Sequence, residues 1–531
     1  MWSTNKDFRH TESERNMNGL INKLQKTDII YLIVISLVLI DRITLLLNFN
    51  FKYTCSDDTV IWQGAAEYMK GCFHEPYFFG QNYNFMLEAI FAIPFLWFGV
   101  PYYIAIPLST SIISLFPFFF ISIILYTRGY KAESLFFMMI PLLLPIEYGI
   151  ITSITRGFVT GIFFSSFMII SVLNPQKNTG WIYASLGFSF GYVFNANSLV
   201  FTIPLYLFLF LQNYKTLSFY WISAVFAIPP ILIEFFAKNF YIQNPDHIVH
   251  KMMDLKYSFG QLIANFEILD KIFKHLTPVV WSFHSIIVFV ILFIGIILSR
   301  KSWKKGLSII IGSLFILATL GINKINDSSD SIFFSYTRMY IAIPLLLGIS
   351  FFWLRELYFK NLSRNLRNGL MIIALTTFSI KYGFIRDKIK QYTAKTDLGF
   401  IAIKSISELS CECSDIEKNA LKYNIDLIIF HPNWKIHTPY MEMYNYACPL
   451  IIKKFPKTLL SVFERRTWVY TNERSAVEKN VMICGDVDTN LVKNFKNSIS
   501  ISSNPPISIF INNHLRSDSL LKKLEIDLKR I

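Results

Sequence analysis

Apolar runs close to the length of a membrane-crossing helix recur from residue 28 to residue 384, and this repetition constrains the fold more than any other feature. A helix needs about 20 predominantly apolar residues to cross the hydrocarbon core. Runs of that kind lie near 28–47, 102–126, 134–151, 158–173, 181–194, 198–212, 219–236, 279–299, 306–322, 338–354 and 369–384. The pair at 181–212 is interrupted by Asn195-Ala196-Asn197 and reads as two spans or one bent span. Only 16% of the chain is charged, against about 25% in soluble domains. The expected fold is an α-helical polytopic membrane protein of about 11 spans with a C-terminal soluble α/β domain.

Basic residues assign the sides. Lys6, Arg9, Arg15, Lys23 and Lys26 precede the first run; Arg128 and Lys131 follow the second. Lys177, Lys215, the Arg300–Lys305 group and the Arg355–Arg367 group sit in later short loops. An eleven-span count puts all of them in the cytoplasm, as the positive-inside rule requires. Residues 1–27 are then cytoplasmic, 28–384 form the transmembrane domain, and 48–101 form an outer loop. The 385–531 domain lies outside the cytoplasm. Arg386, Lys388 and Lys390 fall on the outer side against the trend. The run Phe85–Phe98, interrupted by Pro94, is placed as a helix on the outer surface, because a crossing there would move every later basic loop. Asp58–Lys70 is a second such helix, with Ile61, Ala65 and Tyr68 on one face.

The net charge of +15 follows from these loops, and no nucleic-acid motif accompanies it. The start of the chain is polar, without a cleavable leader pattern. Cys55 and Cys72 share one loop and are the candidate pair if it faces an oxidising compartment; Cys411 and Cys413 are read as unpaired thiols. Beyond Arg386, strands are predicted at 427–430, 459–463, 481–483 and 507–511, and a basic helix at 515–531.

Carboxylates at a membrane surface are costly, which directs attention to the outer loop. Asp57 and Asp58 follow Cys55-Ser56 directly. Two roles fit them. One is capping, in which Ser56 or Asp57 accepts bonds from the free amides of the following helix. The other is general-base chemistry, the removal of a proton from an attacking hydroxyl.

Asp57-Asp58-Thr59, with Glu67-Tyr68-Met69 and Gly71, is similar to the Asp-Glu motif and surface helix of GT-C membrane glycosyltransferases, a group that includes aminoarabinose transferases and protein O-mannosyltransferases. Gly80-Gln81-Asn82-Tyr83 followed by Glu88 resembles a second segment of bacterial members. The specific motifs cover residues 55–99. The resemblance implies an inverting transfer from a polyprenyl-phosphate-linked sugar donor to a glycan, lipid or protein acceptor in a bacterial plasma membrane. It makes Asp57 the matching base and places Asp58 where many relatives have Glu. Gln81, Tyr83 and Glu88 would serve the substrates. Relatives often carry a second Asp in the next outer loop; residues 147–157 instead hold Glu147 and Arg156. Arg338 in Tyr336-Thr337-Arg338-Met339-Tyr340, with Pro344 following, partly matches an Arg-Tyr pair that would meet the donor phosphate. An interfacial arginine reaching for the headgroups is the alternative.

Some relatives hold a divalent metal through a loop histidine. His247, His250 and His275 have no zinc-type spacing and are read as solvated, so no metal ligand is assigned and a divalent metal is left open. Arg465-Arg466-Thr467-Trp468 is read as a surface cluster. No nucleotide fingerprint appears. A transporter or lipid flippase of envelope precursors is the rival, and such proteins often show paired halves with broken helices. No repeat is visible here.

Overall fold

The computed structural model describes residues 26–72, 75–77, 85–245, 256–323, 332, 335–359, 363–394, 403–431, 440–460 and 477–526. The first span is α1 (Lys26–Leu45), continued by one π turn at Leu46–Asn50. A short strand β1 (Tyr53–Cys55) then leads directly into α2 (Ser56–Met69), and α3 (Leu87–Trp97) follows. Next come α4 (Tyr102–Thr127), α5 (Lys131–Leu143), α6 (Ile146–Ile151), α7 (Thr160–Ser165), α8 (Met168–Leu173), α9 (Asn178–Phe194), α10 (Leu199–Asn213) and α11 (Leu217–Gln243). After α12 (Phe259–Glu267) and α13 (Leu269–Ile272) the membrane part closes with α14 (Ile286–Ser299), α15 (Trp303–Thr319), α16 (Ile343–Tyr358) and α17 (Ser363–Thr393).

Among the described residues, five helical stretches are long and apolar enough to cross a bilayer: Ile29–Asn50, Tyr102–Thr127, Ala196–Asn213, Leu217–Gln243 and Leu366–Thr393. Along α11, Ile231, Phe235 and Phe236 are exposed. An exposed apolar face of that size suits contact with lipid. Inside the bundle, small residues permit close approach. A Cβ on Gly312 would strike the Pro204 ring. Lys381 on α17 pairs with Asp41 on α1 at 2.8 Å, joining the first and last long helices.

Helices occupy the expected apolar runs, with shifted ends and some breaks. The 134–151 run divides at Leu144-Pro145 into α5 and α6, and the 158–173 run divides into α7 and α8. The break at Asn195 is complete: its backbone is extended, and α9 and α10 are separate helices. Both helices of the outer loop are present. α3 buries Leu87, Glu88, Ala89, Ala92 and Leu96.

The tail is an α/β domain. Strand β2 (Ile403–Ser405) enters it, followed by α18 (Ile406–Lys422), β3 (Leu427–Phe430), α19 (Tyr440–Ile451), β4 (Lys457–Leu460), β5 (Val477–Glu478), β6 (Val481–Cys484), α20 (Thr489–Lys493), β7 (Ser498–Ile501), β8 (Ile507–Phe510), β9 (Leu515–Arg516) and α21 (Ser517–Lys523). The main sheet runs β4-β3-β6-β8-β7, with β3 parallel to β4 and β6, and β8 antiparallel to both neighbours. β3, β6 and β8 are buried along their length, as the continuous apolar runs require. The predicted terminal helix is shorter than expected, because Leu515-Arg516 pairs with β5 before α21 begins.

Two cysteine expectations fail. Cys413 is disulfide-bonded to Cys448, joining α18 to α19. Cys55 and Cys72 are not paired: Cys55 is buried as the residue before α2, and Cys72 is exposed.

The tail is joined to the outer loop by more than the chain. β1 pairs antiparallel with β2, Tyr53 opposite Ser405, Thr54 opposite Lys404 and Cys55 opposite Ile403. The face of α2 bearing Val60, Ile61, Trp62 and Ala65 shares one apolar cluster with the tail's sheet and helices.

Candidate functional site

The site is built on the loop from Thr152 to Val159, between α6 and α7. Such a segment, deep in a helical bundle, must find partners for its backbone groups. Polar side chains from five directions supply them. The Asn50 side chain donates to the Ser153 carbonyl at 3.2 Å. The Thr155 amide donates to Asp58 Oδ1 at 3.1 Å, and the Thr155 hydroxyl meets that of Thr110 at 3.0 Å. The Gly157 amide donates to Glu88 Oε1 at 2.7 Å. Asn195 donates to the Gly157 carbonyl at 3.0 Å. Asn197 donates to the carbonyls of Phe158 (2.8 Å) and Arg338 (3.1 Å), so one amide aligns two segments. Gly157 has φ +71°, a left-handed conformation that glycine adopts without penalty.

Arg156 projects from this loop to Asp57, with Nη2 2.7 Å from Oδ2. Its guanidinium also lies 5.3 Å from the Phe158 ring centroid, and the Arg338 guanidinium lies 5.8 Å from the same centroid. Phe158 is therefore a shared platform for two cations. Arg338 sits in the 3-10 turn Tyr336–Met339 ahead of α16 and is only 6% exposed. That burial removes the interfacial alternative, in which its head would stay in water.

The acidic residues have distinct places. Cys55, not Ser56 or Asp57, precedes the first turn of α2, and it makes no side-chain cap bond. Asp57 lies in the first turn and forms an ion pair with Arg156. Asp58 is buried against Thr155, and burial pushes its carboxyl up to about 6. It borders a small crevice with Phe49, Tyr53, Cys55, Ile154 and Ile403. Glu88 is fully buried beneath the loop, and burial pushes it up to about 7; its second oxygen, Oε2, has no hydrogen-bond partner among the described residues.

Glu147 belongs to a different cluster. It accepts from Tyr392 at 2.8 Å and pairs with Lys388 at 3.1 Å, both on α17. Lys388, against the trend for an outer segment, thus meets a carboxylate there. His275, expected in solvent, is partly buried; burial holds its imidazole low, against the pull of Glu147. Among the described residues no group of three or more His, Cys, Asp or Glu side chains is placed to hold a metal. Gln81, Tyr83, His247, His250 and Arg465-Arg466-Thr467-Trp468 lie outside the described residues.

The sequence marks Asn195 and Asn197 only as a break between two runs and gives Thr110 and Phe158 no functional reading. For the three polar residues the signal is a polar side chain within or between apolar runs, which marks a buried network when two runs are broken near one another; Phe158 carries no such signal.

A first span, an outer loop with two helices, and a next span ending at basic Arg128 together reproduce the arrangement that the motif resemblance implies. No protein-family model and no curated protein sequence matches the chain. Among solved structures, ArnT from Cupriavidus metallidurans in the apo state is similar at 10% identity, with a TM-score of 0.43, over 90% of this chain and 97% of that one.

Proposed function

We propose that the protein is an integral membrane glycosyltransferase that moves a sugar from a polyprenyl-phosphate donor to an acceptor hydroxyl, with inversion. The observation that carries this reading is the cluster of Asp57, Arg156 and Arg338 around Phe158. It joins a carboxylate to two guanidinium groups next to an outer loop.

Each part has a chemical task. A guanidinium pairs bidentately with phosphate oxygens. Arg338, with Arg156, would bind the donor phosphate and offset the charge that grows on it as the glycosyl bond breaks. Asp57 would take the proton of the acceptor hydroxyl, whose oxygen attacks the anomeric carbon from the face opposite the leaving phosphate. Arg156 orients Asp57. Asp58 and Glu88 hold the loop that carries Arg156, which makes them positioning residues. Glu147 fixes α6 to α17. Gln81 and Tyr83 remain candidates for substrate contact on the strength of the motif.

The same reading places residues 48–101 and the tail outside the cytoplasm of a bacterial plasma membrane. Two observations support it. The β1–β2 ladder pairs the tail with the 48–101 loop, which suits a shared side, and an eleven-span count from the sequence agrees, leaving an even number of crossings between them. A buried disulfide in the tail suits an oxidising compartment.

The test is genetic and chemical. Deleting the gene should cause polyprenyl-linked sugars to accumulate. Wild-type protein should clear them, and Asp57→Asn should not. Unchanged lipid-linked sugars in the deletion strain would overturn the reading.

A further inference from the structure

Among the described residues the tail contributes none to the Asp57 cluster, yet its entry strand pairs with the strand that leads into that cluster. β1 ends at Cys55, two residues before Asp57, and its ladder partner is β2. The Ile406 amide donates to the Lys52 carbonyl at 2.8 Å and extends that pairing. Successive residues of a strand face opposite ways. Ile403 lines the crevice beside Asp58 and Cys55. Lys404 faces the domain, where its ammonium donates to the Tyr444 hydroxyl at 2.6 Å and pairs with Glu412. It also lies 4.8 Å from the Tyr440 ring centroid and 4.9 Å from that of Tyr444. Tyr444 donates to the same Glu412 at 2.8 Å. Glu412 is on α18 and both tyrosines are on α19, the two helices joined by Cys413–Cys448.

We infer that Lys404 is a positioning residue for the reaction: held in a cage of Glu412, Tyr440 and Tyr444, it fixes β2, and β2 fixes the strand that aims Asp57 at its substrate. A three-residue ladder is too short to be stable by itself. An ammonium that is desolvated between two aromatic faces and a carboxylate supplies the missing anchorage. The disulfide sets the spacing of the cage walls, and the tail thereby becomes a structural part of the active loop. This inference rests on Asp57 being the base, but its main readout does not.

The test compares full-length wild type with Lys404→Met, which keeps the aliphatic stem, and Glu412→Gln, a milder change to the cage. Lys404→Arg is the rescue variant. Amide hydrogen exchange is followed in residues 53–60 and, as a reference, in 481–484. Expected in Lys404→Met is exchange about tenfold faster or more at 53–60, with 481–484 unchanged. Glu412→Gln should show a smaller rise and Lys404→Arg protection near wild type. Turnover with a polyprenyl-phosphate sugar should fall in parallel, at unchanged KM. Unchanged protection at 53–60, or an equal rise in both segments, would overturn the inference. Faster exchange at 53–60 in Lys404→Met, beside a wild type that itself shows no transferase activity, would sustain the clamp and overturn the glycosyltransfer reading instead.

Discussion

Arg156 Nη2 and Asp57 Oδ2 are 2.7 Å apart, in side chains only 11% and 15% exposed. The pair is shielded enough that removing one partner strands the other's charge. Arg156→Met and Asp57→Ala should each destabilise the protein, while the double variant should lose less than their sum. The expected coupling is about 1 kcal/mol or more, as for charges in contact. Additive losses in a double-mutant cycle of thermal stability would show that the two do not interact.

Glu88 predicts a pH dependence. Its folded-state carboxyl is raised by burial from an ordinary 4.5 to about 7. The folded protein therefore keeps a proton that the unfolded chain has released in that window. The resulting stability is complete below about 4.5 and is lost as pH climbs through 7. Asp58 acts with the same sign between 3.8 and about 6. The Glu88-specific effect is thus read between pH 6 and 8. Glu88→Gln, neutral throughout, should flatten the melting profile there and gain on wild type at pH 8. A profile identical to wild type would contradict the assignment.

For Arg338, the expected change is in donor affinity. Arg338→Ala should raise the donor KM, and Arg338→Lys should restore only part, because an ammonium lacks the planar fork. A charge-assisted hydrogen bond is worth about 1.5–3 kcal/mol, roughly tenfold to more than a hundredfold. Steady-state kinetics against donor concentration would decide, and an unchanged KM in a correctly inserted variant would remove Arg338 from donor binding.

Topology can be read from the native thiols. Cys72 in the outer loop and Cys411 in the tail are exposed, whereas Cys55 and Cys484 are buried. A membrane-impermeant maleimide should label Cys72 and Cys411 in intact cells with an opened outer barrier. Labelling of Cys411 only after the inner membrane is permeabilised would place the tail in the cytoplasm and break the account.

The legible parts of the sequence were those governed by local pattern. Apolar run length located the helices, and short, mainly apolar runs containing Ile or Val located β3, β6 and β8. Asp57 stood out because a charge beside a membrane span needs a reason. The rest depended on long-range pairing. Cys413 and Cys448 are separated by 35 positions, and nothing in the Cys411-x-Cys413 spacing points to α19. Arg156 and Asp57 meet only because Asp58, Glu88, Asn195 and Asn197 bend one loop back toward α2. Lys404 carries no local signal of its role, which arises only from the pairing of β2 with β1.

The central claim is that Asp57 is the base of a glycosyl transfer, and turnover of purified Asp57→Asn with a polyprenyl-phosphate sugar tests it most directly. Asn keeps an oxygen for the Arg156 N–H and keeps the size of the side chain, but it cannot take the acceptor's proton. General-base assistance contributes about 10²–10⁴-fold, so turnover should fall by at least about a hundredfold while the melting temperature shifts by only a few degrees. Wild-type turnover in Asp57→Asn would contradict the account and pass the role of base to Asp58.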